Sequence, residues 1–150
     1  MDMARQNPDT VVVGEIRTSE AMEAVLIMAE SGLKVFTTVH ATSVVETIRR
    51  MVNFFPSADH DRVYDRIGAT VTGIVNQWLA PAKGGRGRVL VCELLSCHEG
   101  SPAHRPLREG KVQNIKTIIE QADKQVRSLE ETEICSKQKY MGLLKEIGKI

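Results

Sequence analysis

Two periodicities alternate along this chain. Thr10-Val11-Val12-Val13 is a β-branched run without polar alternation, the pattern of a strand buried on both faces of a parallel sheet. After Gly14-Glu15-Ile16-Arg17, Thr18 or Ser19 can cap a helix whose start carries Glu20 and Glu23. Ala21, Ala24, Val25 and Met28 recur at i, i+3, i+4 and i+7 and predict its buried face; Ser31-Gly32 ends it. A second β-rich run covers Lys34 to Val39. Ser43 and Glu46 form a capping box, and Val44, Ile48, Met51 and Val52 predict a helix that stops before Pro56. Asp59 to Leu79 reads as a longer helix with Val63, Ile67, Val71, Ile74 and Val75 on one side. Gly68 and Gly73 are points where it can break. Lys83 to Gly87 reads as a hairpin-like or flexible turn and Arg88 to Leu95 as a third strand. Pro102 and Pro106 exclude a regular helix between Ser96 and Gly110. Further helices are predicted from Lys111 to about Gln125 and from Ser136 to the end.

Strands alternating with helices predict right-handed crossovers, and hence an α/β fold with a mainly parallel sheet and flanking helices. Three strands are few for such a sheet, so the pattern is that of part of a domain. Composition then narrows the partners. The 150 residues are 42% hydrophobic and 26% charged, with a net charge of +1, as in an ordinary globular protein. With no basic excess and only 4% aromatics, no direct nucleic-acid contact is expected. The apolar runs fall short of the roughly 20 residues of a spanning helix, and the first residues lack the apolar core of a signal peptide. Cys92, Cys97 and Cys135 cannot all pair with one another. They read as reduced thiols of a cytoplasmic protein, with Cys92 in a strand core.

Two strand ends carry candidate chemistry. Val11-Val12-Val13-Gly14-Glu15 puts a carboxylate at the carboxyl end of a strand, where ligands bind in open α/β sheets. There it can hold a magnesium-bound water or orient an attacking water in phosphoryl transfer. By itself the pattern also fits a capping or loop carboxylate. Phe36-Thr37-Thr38-Val39-His40 ends the next strand in two hydroxyls and an imidazole. Such a histidine can contact a terminal phosphate, or it can be a satisfied side chain near a helix N-terminus.

Taken in order, NPDTVVVGEIR, AESG, VFTTVHATS and ETIRRMVNFFP resemble the secretion ATPase superfamily of type II secretion, type IV pilus extension and retraction, and type IV secretion or conjugation. Those motors carry a Walker B segment of the form DPDxxxVGExRD and a His box of the form TxHT. Gln77 resembles the glutamine of their SQxL segment, and GRGRVLVCE, ending at Glu93, is similar to their GGGRxxxxE strand. The stretch from Ser101 to Val112 resembles the TPAIRNLIREDKV of pilus retraction ATPases, one residue shorter.

The resemblance implies a partial RecA-like P-loop NTPase domain that uses ATP and magnesium. It makes Glu15 the Walker B glutamate, acting on magnesium through water, and His40 the sensor of the γ-phosphate. Arg17 and Thr38 would flank the nucleotide, and Glu30 matches an acidic residue of the family's AAETGH segment. Partners would be further subunits of a hexameric ring, or full-length ATPase subunits, and the inner-membrane platform of a pilus or secretion machine. The location would be cytoplasmic, at the bacterial inner membrane through those partners.

The departures are as informative. No Gly-x-x-x-x-Gly-Lys-[Ser/Thr] occurs, and Gly84-Gly85-Arg86-Gly87-Arg88 precedes a strand rather than a helix, so it reads as a solvated turn. The acid usual after the Walker B arginine is Thr18, and the histidine usual in the TGH segment is Leu33. Residues 1–95 are therefore expected to be the C-terminal part of an ATPase core, and residues 96–150 a C-terminal loop and helical segment. The chain is expected to show little ATPase activity alone and to expose sheet edges and helix faces. The alternative is a truncated, inert subunit or split-gene product acting only by association.

Overall fold

A computed structural model describes residues 8–81 and 87–130. Strand β1 (Thr10–Val13) pairs in parallel with β2 (Lys34–Thr37), in a register running from Thr10 opposite Lys34 to Val13 opposite Thr37. Helix α1 (Ser19–Glu30) makes the crossover. It starts where predicted because Thr18 is extended and its Oγ1 accepts from the Ala21 N–H at 3.2 Å. It stops because Gly32 takes φ +92°, open to a residue without Cβ. Its buried face differs from the predicted one. Met22, Val25 and Leu26 are buried, whereas Ala24 is exposed and Ala21 and Met28 are half-buried. Methionine and leucine remove far more apolar area from water than alanine, and this decides which stripe turns inward.

Helix α2 (Val44–Asn53) follows its pattern. Ser43 Oγ accepts from the Glu46 N–H at 3.1 Å, and Val44, Ile48, Met51 and Val52 are buried. A 3₁₀ turn, Ser57–Asp59, leads into α3 (His60–Thr70). The long helix expected up to Leu79 is overturned here. Val71 turns extended, and Gly73–Pro81 forms strand β3, antiparallel to β4 (Arg88–Ser96). Ile74, Asn76 and Trp78 alternate with Val75, Gln77 and Leu79, so the segment satisfies a period of two as well as one of 3.6. A partner strand of equal length settles the choice. β4 thus belongs to a separate two-stranded ribbon rather than to the parallel sheet.

Helix α4 (His104–Arg108) forms in the stretch where proline was expected to exclude a regular helix. Pro106 is its third residue, where the missing N–H would have had no partner within the helix. Helix α5 (Val112–Glu130) follows; the helix expected from Ser136 lies outside the described residues. Ala103, Leu107, Val112, Ile115 and Ile119 join Met22, Leu26, Ile48, Val63 and Ile67 in one core, so residues on both sides of position 95 share it. The core thiol is Cys97, which burial pushes up to about 11, whereas Cys92 is only half-buried.

One close approach yields a prediction of unexpected sign. A Cβ at Gly68 would lie 2.2 Å from Arg108 Cγ and 2.9 Å from the Arg108 backbone nitrogen. Ala in place of Gly in a helix ordinarily gains about 1 kcal/mol. Here Gly68→Ala is expected to destabilise by about 1–3 kcal/mol through overpacking of α3 against α4. Urea denaturation reads the sign directly.

Apolar surface also stays open. Val12, 76% exposed, and its register partner Phe36, 56% exposed, lie on one face of the parallel pair. The outer face of the ribbon shows Val75, Leu79, Leu90 and Leu94, each more than half exposed. β1 was expected to be buried on both faces; among the described residues only the Val11 side is covered.

Candidate functional site

The carboxyl ends of the two parallel strands are joined beyond their ladder. The Thr38 hydroxyl donates to the Gly14 carbonyl, and the Ile16 N–H donates to the Thr38 carbonyl at 3.0 Å. Ile16 is buried, which anchors the segment after β1 and turns Glu15 and Arg17 outward on either side of it. These contacts bring Glu15 to His40. Glu15 Oε1 lies 2.9 Å from His40 Nε2, and Arg17 Nε and Nη2 both donate to Glu15 Oε2 at 2.6 Å.

Glu15 is the most covered of the three side chains, 23% exposed against 77% for Arg17 and 80% for His40. The Arg17 hydrogen bond holds its carboxyl below the usual carboxylate range, against a smaller desolvation effect. The charges of Arg17, His40 and Arg50 act in the same direction as that bond. The site is therefore a carboxylate at a strand end whose ionised form is favoured by the arginines beside it, with the His40 ring on its other oxygen. Beside it an open cleft of about 540 Å³ is lined by His40, Thr42, Arg49, Arg50, Asn53 and Phe54, among others. Exposed cationic groups around a fixed carboxylate suit a phosphate ester on one side and a polarised water on the other.

Of the residues named from the sequence, Glu15, Arg17, Thr38 and His40 come together. Glu30 does not join them. It ends α1, whose 12 residues rise about 18 Å away from the carboxyl end of β1. Its carboxylate accepts two hydrogen bonds from Arg66, at 2.6 and 3.0 Å, while Arg66 Nη1 donates to Glu23 at 2.8 Å. Arg66, only 13% exposed, thus ties α1 to α3, and both carboxylates are held below their usual range by it. Gln77 lies exposed on the outer face of the ribbon, opposite Cys92. The inward residue is its neighbour Asn76, which sequence reasoning passed over. Arg50 was also missed, although its position one turn before Phe54-Phe55-Pro56 in the resembling segment was a usable signal.

A second ionic cluster closes the turn between α4 and α5. Glu109 accepts from Lys111 Nζ and Arg105 Nε, each at 2.6 Å, and these bonds lower its carboxyl to about 2. A depressed carboxylate adds stability above its unfolded-state value and loses it as pH falls through the folded value. A carboxyl NMR titration is expected to place the Glu109 midpoint near about 2, and near 4.5 in a variant with Arg105→Ala and Lys111→Ala together.

Comparisons with known proteins identify the family and the fold. The family model of the type II/IV secretion system proteins matches residues 2–145, and the chain belongs to that family. A twitching motility protein of Neisseria gonorrhoeae is 34% identical over 117 residues, 77% of this chain and 30% of that protein. The type IV pilus retraction ATPase PilT of Pseudomonas aeruginosa is 37% identical over 117 residues, 77% of this chain and 33% of that protein. The crystal structure of the pilus retraction motor PilT with bound ADP superposes with a TM-score of 0.72 at 30% identity, covering 97% of this chain and 43% of that one. The Legionella pneumophila ATPase DotB gives 0.69 at 25% identity, covering 97% and 41%. The fold is therefore α/β and RecA-like, with a parallel strand pair and only part of the domain present. The chain spans 30–33% of the length of those curated relatives.

Proposed function

We propose that this chain is the C-terminal portion of the motor of a hexameric ATPase that couples ATP hydrolysis to pilus retraction, secretion or conjugative transfer. The observation that carries this reading is Glu15 at the end of β1, bonded on one oxygen by Arg17 and on the other by His40. Glu15 orients the attacking water, His40 senses the γ-phosphate, and Arg17 and Thr38 flank the nucleotide. Glu30, engaged by Arg66, has a packing role in this reading.

Magnesium is tested by the donor set. Among the described residues, no group of three or more His, Cys, Asp or Glu side chains is placed to hold a metal unaided. Glu15 Oε1, with His40 as its one protein contact, keeps a lone pair for a water, which fits a magnesium ion held chiefly by phosphates and water. The ion would neutralise phosphate charge; Glu15 would hold its water.

Among the described residues no helix is long and apolar enough to cross a membrane. The reading places the chain in the cytoplasm, reaching the inner-membrane platform through ring partners. The test supplies the remaining, P-loop-bearing portion of such an ATPase in trans and measures phosphate release. Turnover that depends on both portions supports the reading; none with both present and assembled refutes it.

A second reading is an inert subunit that acts by association. The open apolar faces at Val12 and Phe36 and on the outer side of the ribbon favour it, since association would cover them. Added to a full-length relative, the chain would then lower the turnover of the mixed ring and never raise it.

A further inference from the structure

Asn76 and Glu93 are opposed in the β3–β4 register, so both emerge on the inner face, beside buried Ile74 and Leu95. Both reach the link between β2 and α2. Asn76 Nδ2 donates to the Ala41 carbonyl at 2.9 Å, and Glu93 Oε2 accepts from the Val44 N–H at 2.6 Å. Asn76 is a buried polar side chain, 7% exposed, a placement that costs free energy unless the amide is bonded. Glu93 takes a first-turn N–H of α2 that Ser43 Oγ, occupied with Glu46, does not satisfy.

These two bonds bear on His40. Its ring is 80% exposed, so packing does little to hold it at 2.9 Å from Glu15. The backbone carrying it must do so. On the strand side that backbone is tied through Thr38 to Gly14 and Ile16. On the helix side it is tied at Ala41 and Val44, by a pair of side chains from a different sheet.

We propose that Asn76 and Glu93 are positioning residues for His40: together they clamp the 40–44 segment so that the imidazole meets Glu15. The inference rests on the reading of Glu15 and His40 as the nucleotide-responsive pair. It ties that pair mechanically to the ribbon, whose other face is apolar and open. A displacement of the ribbon would be transmitted to His40 through two hydrogen bonds.

The test needs a readout that helix capping alone would not move. In the isotope-labelled full chain, Glu93→Ala is expected to shift the Val44 amide and to shift or broaden the His40 ring signals, with His104 unmoved. Glu93→Gln keeps an acceptor at the same reach and should return His40 towards its native signals. Asn76→Ser, too short to span to Ala41, should disturb His40 as Glu93→Ala does, and it replaces that variant if Glu93→Ala does not fold. In the motor complemented in trans, Glu93→Ala should lower kcat about tenfold with KM for ATP little changed, a modest misplacement of a reacting group. His40 signals unmoved in both Glu93→Ala and Asn76→Ser would overturn the proposal, as would equal disturbance by Glu93→Gln and Glu93→Ala. If the complemented native chain shows no turnover, the functional reading fails, and the NMR comparison still decides the clamp.

Discussion

Glu15→Gln is expected to lower ATP turnover of the complemented motor by about 10²–10⁴-fold, the range by which a positioned acid or base accelerates such steps. Glutamine keeps the shape of the side chain and one acceptor oxygen, so Arg17 retains a partner and the turn after β1 survives. What is lost is the negative charge that orients and polarises a water. The Arg17 hydrogen bond favours that charge in the native chain by lowering the carboxyl from its usual value. KM for ATP should change little, since the effect falls on the chemical step rather than on binding of the ground state. Glu109→Gln, on the α4–α5 turn, serves as the control and should leave turnover intact. Native-like turnover in Glu15→Gln would remove this carboxylate from the reaction and with it the central observation of the functional reading.

Ile48→Ala is expected to destabilise the chain by about 2–5 kcal/mol, the range for deleting a fully buried branched side chain. Ile48 is 0% exposed, on a helix that packs against α3, α5 and β3 at once. Neighbours held by three other elements cannot collapse into the space, so the cavity cost adds to the lost transfer energy. Denaturant unfolding with an unchanged slope would show the loss as a shift in midpoint. Arg49→Ala, one residue on, removes only a half-exposed pair with Glu46 and should cost about 0–1 kcal/mol. Equal effects at the two positions would mean that α2 does not pack as described.

Much of the site was legible from sequence because it is built from local signals. A β-branched run ending in Glu15, and another ending near His40, specify two strand ends. Thr18 and Ser43 specify the helix starts, since a capping hydroxyl needs an N–H only three residues on. The crossover between parallel strands then brings the two ends side by side, which puts Glu15 and His40 together; Arg17 and Thr38 are named through the family resemblance and lie at the same ends. Glu30 does not join them: a motif records order along the chain, while α1 carries that residue to the opposite end of its axis, where Arg66 bonds it.

What the sequence by itself determined is therefore the local conformation around the site, the family resemblance and the residues at the two strand ends. The tertiary structure alone decided four things: that Gly73–Pro81 is a strand, that α1 turns Met22 and Leu26 inward, that Cys97 is the core thiol, and that Asn76 bonds to Ala41 and Glu93 to Val44. The physical reason is common to all four. Each depends on a partner outside the segment itself, whether a facing strand, a neighbouring helix or an N–H to be satisfied, and the periodicity within a short window does not show what will lie opposite it.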